Sequence, residues 1–457
     1  MFYRKIAKTI EDHLRSGSAQ ILLVDGARQV GKSTIIRYVG QNNYKNYIEI
    51  NMLEDKRENG LFSDIHSTED FYLQLSIAAK GKLGNTEDTL VFLDEIQVYP
   101  QLLTLLKFLR QEGRFTYIAS GSMLGIALRK TVSIPMGSIR QIHMYPMDFE
   151  EFLLAYGISA DVIARIRTYF EIQKSPPLRI HEQFLQLFQY YLLSGGLPDA
   201  VKAFVEEQNI PKMRDVQLET HAYYATDASQ YDEENRLKIR TIYDSIPSLM
   251  ENRKKRIVVN RIENRKGSTF SQYEDEFEYL TASGIALAVK AVPTPVFPLT
   301  QGLEKNLLKL YLNDPGILTA LLYGNNIQAV LSDVRSINLG SVYETAVAAE
   351  LKAHGFDLYY YDNRKKGEVD FLIDDYATLS VLPIEVKSGK DYSTHASLDR
   401  FLTNEDYPVS SAIVFSNDGG IRKDGSIVYY PVYMCMFLQK DNVEIPELPH
   451  IEIKKWE

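Results

Sequence analysis

The nine residues GARQVGKST, 26 to 34, place two glycines, a lysine and a serine at a spacing that can hold a phosphate chain. Gly26, Gly31, Lys32 and Ser33 fit G-x-x-x-x-G-K-[ST], with the apolar run AQILLVD before them and the helical pattern IIRYVGQ after. Glycines let such a loop bend and let backbone N–H groups approach phosphate oxygens with no side chain in the way. The following helix turns its unpaired N-terminal N–H groups toward the same anion. The stretch Gly26, Ala27, Arg28, Gln29, Val30, Gly31, Lys32, Ser33 and Thr34 is therefore expected to wrap the phosphates. Lys32 should reach the outer phosphates, and Ser33 should offer its hydroxyl to Mg²⁺. The bland alternative, an accidental glycine turn before a helix, does not account for the strand–loop–helix context. The chemistry indicated is nucleoside triphosphate binding.

Such a loop needs an acidic partner, and TLVFLDEIQ, residues 89 to 97, supplies one. Its apolar run reads as a strand buried on both faces, ending in Asp94 and Glu95. Asp94 is expected to hold Mg²⁺ through water and Glu95 to polarise the attacking water. A further strand, FTYIASGS, ends in Ser120 and Ser122, either of which is placed to sense a γ-phosphate.

A second set of chemically suggestive residues lies near the other end. SVYETAVAAELKAHG reads as a helix carrying Glu344, and DLYYYDNRKKGEVDFLID as two strands with Asp370 in the second. In SVLPIEVKSGK, a third strand, Glu385 and Lys387 share a face at i and i+2. Carboxylates on adjacent strands beside a lysine are the parts of a metal-dependent phosphodiesterase: the acids bind Mg²⁺, the metal activates water, and the lysine supports developing charge. The plain alternative is a hairpin with exposed charges. Against it, Asp370 is flanked by Val369, Phe371 and Leu372, where an unbound acid is costly. Three gathered carboxylates repel one another, so either a cation occupies the site or their pKa values rise. Lys387 alone does not balance them, so a divalent metal on Asp370 and Glu385 is expected.

The elements that must position these residues fit in 457 residues, enough for two or three domains. A hydrophobic fraction of 45% supports real cores. No apolar run approaches the roughly 18 to 20 residues of a membrane span, so no membrane partner is expected. One cysteine, Cys435, excludes internal disulfides and zinc clusters and suggests a reducing, cytoplasmic setting. The net charge of −9 gives no global attraction to nucleic acid. One local patch stands out: NRKKRIVVNRIENRKG, residues 252 to 267, has seven Lys or Arg against one Glu. With IRTIYDSIPSLME before it, TFSQYEDEFEYLTASG after it and the strand-like IALAVKAV beyond, the order resembles a winged helix. The helix that would enter a DNA groove carries Glu274, Asp275, Glu276 and Glu278, which repel phosphate. A lid or protein-packing module is favoured over a DNA reader.

Together these motifs resemble the AAA-type ATPases of bacteria and archaea whose C-terminal domain is similar to PD-(D/E)xK nucleases. GARQVGKST, FLDEIQ, the SGS turn, YPMDFEEFL at 145 to 153, SGGLPDAV at 194 to 201 and KLYLNDPGIL at 309 to 318 carry the likeness. It implies an α/β architecture: an ATPase domain over 1–150 built on a P-loop parallel sheet, a helical lid and winged-helix-like region over 151–325, and a restriction-endonuclease-like domain over 326–457. It implies ATP and Mg²⁺ as cofactors, with Lys32, Ser33, Asp94 and Glu95 on the ATPase pattern and Glu344, Asp370, Glu385 and Lys387 on the nuclease pattern. Where family members carry a glycine–arginine pair, this chain has Gly137-Ser138 and then Arg140, leaving Arg140 or Arg129 as the substitute. Two functions remain open. One is a nuclease that cuts DNA or RNA under ATP control. The other is a nucleotide switch that binds a protein partner, or itself, through an inert nuclease-like docking domain.

Overall fold

The computed structural model describes residues 1–122, 124, 137–230, 236–252, 255–262, 267–332, 339–363, 365–388, 395–417 and 419–440. Five strands form the first sheet: β1 (Ile21–Asp25), β2 (Asn46–Asn51), β3 (Thr89–Asp94), β4 (Thr116–Gly121) and β5 (Ile139–His143). Their order is β2-β3-β4-β1-β5, and every pairing is parallel. β1 and β3 are buried along their whole lengths, as their continuous apolar runs require. Alternation assigns Leu22 and Val24 to one side of the sheet and Ile21 and Leu23 to the other. The P-loop leaves the carboxyl end of β1, and Asp94 ends β3 two strands away, across β4.

The second sheet has eight strands: β6 (Ala286–Ala291), β7 (Glu304–Leu312), β8 (Tyr359–Asn363), β9 (Gly367–Asp375), β10 (Ser380–Lys387), β11 (Ala412–Ser416), β12 (Arg422–Asp424) and β13 (Ile427–Pro431). Its order is β12-β13-β11-β10-β9-β8-β6-β7, with parallel and antiparallel neighbours mixed. The expected division at 325 and 326 is crossed by this sheet. The strand read as part of a wing, β6, pairs with β7 and also with β8, so the hairpin extends the C-terminal sheet. The reason is hydrophobic: Val289 and Ala291 are buried, and an open edge at β8 would leave a row of unpaired backbone groups.

Between the sheets lie the helices Leu178–Ser194, Pro198–Val205, Ile210–Gln230, Arg236–Met250 and Pro315–Tyr323. One hydrophobic core runs from Leu22 and Ile118 through Phe188, Leu192 and Ile317 to Phe371, Ile384 and Phe415. The three sequence segments are thus fused through shared apolar burial. Among the described residues no helix is long and apolar enough to cross a membrane.

Three motifs meet in a buried polar junction. The Asp314 carboxylate accepts from Gly196 N at 2.6 Å and from Ile317 N at 2.9 Å, the latter capping the helix Pro315–Tyr323. Gly195 has φ +61, and a Cβ there would lie 2.0 Å from Asp314 Oδ1, so only glycine admits the carboxylate. Met147 N donates to Gly196 O at 2.7 Å, and Tyr191 OH donates to Met147 O at 3.0 Å. The sequence landmarks YPMD, SGG and NDPG are therefore one contact.

Burial pushes Asp314 up to about 6, against the pull of its backbone N–H donors. An acid raised on folding holds a proton that the unfolded chain releases. Its contribution to stability therefore falls as pH rises from about 4 toward 6. Asp314→Ala is expected to lower the unfolding free energy by about 1–3 kcal/mol for each buried N–H left unpaired. It should also remove the pH-dependent component in that window. Urea unfolding of both proteins across the window checks the two effects, and an unchanged midpoint would contradict the junction's role.

Candidate functional site

The loop begins at Gly26, whose φ of +139 and closeness to Met144 O, 2.2 Å from where a Cβ would sit, admit no other residue. Gly31 is left-handed at φ +97 and leads into the helix Lys32–Asn43, whose first N–H groups face the loop. Lys32 Nζ donates to Gly26 O and Ala27 O, each at 2.8 Å. Burial lowers its pKa, with Glu95, Asp94 and Asp25 opposing. Ser33 Oγ donates to Asp94 Oδ2 at 2.8 Å, and the Ser120 hydroxyl donates to Asp94 Oδ1. Burial raises the Asp94 carboxyl, and the two serine hydroxyls pull it back. Glu95 follows in a left-handed conformation at φ 54, with its carboxylate accepting from Gln97 Nε2. The backbone strain at a non-glycine residue fixes where that carboxylate points.

Of the two serines at the end of β4, Ser120 is committed to Asp94, while Ser122 Oγ accepts from Arg28 Nε at 3.2 Å. The candidate arginines resolve differently. Arg140 is exposed on β5 opposite Leu22, with His13 within reach of its charge, so it lies away from the loop end of the sheet. Arg129 falls outside the described residues. The arginine at the loop is Arg28 itself, whose Nε is also 3.0 Å from Asp227 Oδ2 and whose Nη1 donates to Tyr223 OH.

Sequence reasoning missed two features here. The first is the helix Ile210–Gln230, which presents Thr220 to Gln29, Tyr223 and Asp227 to Arg28, and Tyr224 OH to Arg28 O at 2.6 Å. The spacing 220, 223, 224, 227 is one face of a helix, but nothing local signals what it faces. The second is a cleft of about 290 Å³ beside Gly31, Thr34 and Ile35, walled by Phe2, Pro198 and Lys202. That size sits at the small end of ligand pockets.

In the C-terminal sheet, Ile384 pairs with Phe371, which makes Glu385 and Asp370 the next residues along the β9–β10 ladder. Asp370 Oδ2 accepts from Val386 N at 2.9 Å, and Lys387 Nζ lies 2.7 Å from Glu385 Oε1. Burial first, and Asp370 second, push Glu385 up to about 8, with Lys387 opposing. Glu344 is likewise raised by burial and then by Asp370. The four expected residues therefore share one electrostatic neighbourhood. Among the described residues, the acid and histidine group whose ligand atoms all lie within 4.8 Å of one another is Asp148, Glu350 and His354, at a different junction.

The charge balance at this centre also differs from the expected one. Lys255, from the basic connector, pairs with Glu344, and Tyr311 OH donates to Glu344 Oε2 at 3.0 Å. Lys309 of β7, 1% exposed, pairs with Glu368. Burial pulls Lys309 down, but Glu368, Glu344 and Asp370 outweigh it and hold it above its ordinary value. Lys387 is thus joined by two further lysines. The connector turns two of its charges inward, with Arg256 Nη1 3.1 Å from Asp362 Oδ2. Arg253, Lys254, Arg265 and Lys266 lie outside the described residues. In the acidic helix Glu274–Ala282, Glu276 is buried and 3.8 Å from Lys238, while Glu274, Asp275 and Glu278 are exposed.

Residues 18–153 match the AAA domain family, and residues 185–328 and 339–434 match two different domains of unknown function. No curated protein matches the chain in sequence. Among solved structures, a Walker-type ATPase of Pyrococcus abyssi is 15% identical, with 70% of this chain and 96% of that one covered at a TM-score of 0.43. The Aeropyrum pernix Orc1 protein, solved in complex with DNA, is 13% identical, covering 73% and 91% at 0.27. The Thermotoga maritima RuvB Holliday junction branch migration motor is 15% identical, covering 62% and 89% at 0.28. The matched sequence and the loop geometry agree: residues 18–153 are an AAA-type P-loop ATPase domain.

Proposed function

We propose that this protein is an ATP-hydrolysing switch whose nucleotide state is read by the helical region packed on its P-loop. The observation that carries this reading is the convergence of Lys32, Ser33, Asp94 and Glu95 at the carboxyl ends of β1 and β3. Mg²⁺ fits the Ser33 hydroxyl and Asp94 carboxylate, which lie 2.8 Å apart at the head of the loop. When bound, the metal supplies positive charge to the phosphate oxygens. Lys32 exchanges its loop carbonyls for the outer phosphates, Glu95 orients the attacking water, and the cleft beside Gly31 and Ile35 receives the base.

Lys32→Ala is expected to abolish ATP binding or nearly so while leaving the fold intact. The loss of one desolvated charge partner is worth on the order of 2–5 kcal/mol. Calorimetric titration of the folded variant checks this, and wild-type affinity would sink the assignment. Glu95→Gln should keep ATP bound but slow hydrolysis by roughly 10² to 10⁴, the share of a positioned base. Phosphate release under saturating ATP measures it. An unaltered rate would move the water-orienting role to another residue.

For the C-terminal centre two readings stand, each with its own support. Glu344, Asp370, Glu385 and Lys387 on neighbouring elements support metal-dependent cleavage of DNA or RNA under nucleotide control. Lys255 and Lys387, already paired with Glu344 and Glu385, with Lys309 beside them on Glu368, support an inert docking module that binds a protein partner. We favour the second, because Glu344 and Glu385 each have a lysine partner without a metal. Under it, the wild type should leave single- and double-stranded DNA and RNA uncut with Mg²⁺ or Mn²⁺, with or without ATP. Cleavage lost in Asp370→Ala would reverse the choice.

A further inference from the structure

The helix Ile210–Gln230 does more than cover the P-loop. Four of its residues on one face, Thr220, Tyr223, Tyr224 and Asp227, hold two consecutive loop residues, Gln29 and Arg28. The Arg28 guanidinium lies 3.0 Å from Asp227 Oδ2, 3.2 Å from Ser122 Oγ and 5.2 Å from the centre of the Tyr223 ring. Asp227 is inside the nucleotide site electrically: after burial and Arg28, the charges acting on it are Glu95 and Lys32. Lys32 in turn feels Arg28. The guanidinium therefore stands among the residue proposed to orient water, the residue proposed to bind the outer phosphates and Ser122, which follows β4.

We infer that Arg28 is the catalytic arginine of the ATP site, supplied by the loop itself, and that Asp227 is the positioning residue that competes with the γ-phosphoryl group for it. The inference rests on the ATP reading above. A terminal phosphoryl group carries more charge than a single carboxylate and offers oxygens in a geometry that a guanidinium fork matches. Its arrival at the cradle places negative charge beside Asp227 and Glu95, which disfavours the Arg28–Asp227 pair and favours Arg28 on phosphate. In the reaction, the water oxygen forms a bond to the γ-phosphorus, the bond from that phosphorus to the β–γ bridging oxygen breaks, and ADP leaves with the electron pair. The water proton passes through Glu95 to solvent, and Arg28 balances the charge spread over the γ-phosphoryl oxygens. ADP has no γ-phosphoryl group, so Arg28 remains on Asp227. The helix face thus distinguishes triphosphate from diphosphate.

A static clamp would use the same contacts but would treat both nucleotides alike, and that separates the two. The full-length protein and its Arg28→Ala, Arg28→Lys and Asp227→Asn variants are titrated with a non-hydrolysable ATP analogue and with ADP, each with Mg²⁺, and turnover is followed by phosphate release. Asp227→Asn should tighten the analogue about tenfold and leave ADP unchanged, because only the triphosphate competes with the lost carboxylate. Arg28→Ala should reduce the preference for triphosphate about tenfold and lower kcat by at least about 10²-fold, the scale of an arginine acting in cis. Arg28→Lys should restore part of the binding preference but little of kcat. Equal weakening of both nucleotides by Asp227→Asn, or a normal kcat in Arg28→Ala, would overturn the inference. If the wild type bound neither nucleotide, the ATP reading itself would fall, a result visible before any variant is compared. Circular dichroism of each variant keeps misfolding from passing as an effect.

Discussion

A buried guanidinium sets the position of the helix on which the nucleotide site depends. Arg214, 1% exposed, directs Nη1 to Gln217 Oε1 at 2.8 Å, Thr319 Oγ1 at 3.0 Å and Leu193 O at 3.2 Å. Gln217 in turn donates to Leu193 O and Ser194 O. Burial holds the guanidinium down at about 10, still charged at neutral pH, so its hydrogen bonds have to be met by groups that cannot retreat. Those of Nη1 are, while Nε and Nη2 are buried without a partner among the described residues: the carbonyls come from the end of the helix Leu178–Ser194 just before Gly195, and Thr319 belongs to the helix capped by Asp314. The first half of the helix Ile210–Gln230 is therefore fixed to the Asp314 junction. Its second half, one to four turns on, is the part that touches Gln29 and Arg28. The rigid connection between these halves is ordinary helix geometry.

The acidic centre in the C-terminal sheet follows from a similar constraint worked out differently. Glu344 and Glu385 are buried acids that repel Asp370, and burial leaves each of them with a raised pKa. Such a cluster folds only if counter-charge is near. The sheet supplies Lys387 from β10 and, because the β6–β7 hairpin extends the sheet past β8, Lys309 from β7. The chain ahead of the hairpin supplies Lys255: Ile257 N donates to Leu308 O at 2.9 Å, which ties the basic connector along β7. Strand addition and charge neutralisation are therefore linked. Without the hairpin the acids would keep only the lysine that sequence reasoning assigned them.

What could be read from the sequence was what is local. Gly26 through Ser33, the strand ending in Asp94, and Glu385 and Lys387 at i and i+2 are each specified within a few residues, where periodicity and loop chemistry act directly. What could not be read joins distant positions. Asp227 meets Arg28 and Lys255 meets Glu344 through folding of the whole chain, and a lysine in a basic run gives no sign that it will turn inward. The order helix, connector, helix, strand was legible, but that its strand would also pair with β8 and extend the C-terminal sheet was not, because strand order in a sheet is a tertiary property. Arg140 was singled out by its position in the sequence, and the register of β5 against β1 sets it at the wrong end of the strand.

The junction between the first and last segments limits how nucleotide state can reach the acidic centre. Asp148 caps the helix Phe149–Tyr156 and lies 2.7 Å from Lys5 Nζ and 3.5 Å from His354 Nε2. Glu350, fully buried on the helix Gly340–Ala353, accepts from Phe149 N. Burial and then Asp148 push Glu350 up to about 8, while Asp148, despite its burial, is held well below the usual carboxylate range by Lys5 and His354. Losing one partner of a buried network of this kind leaves an uncompensated charge, which costs several kcal/mol. The helix that carries Glu350 also carries Glu344, six residues earlier, with its side chain in the acidic centre. The two domains are therefore not tethered bodies free to swing. A change at Arg28 and Asp227 has to pass through packed helices that share one core with both sheets, and such packing admits a small number of discrete arrangements in place of a continuum.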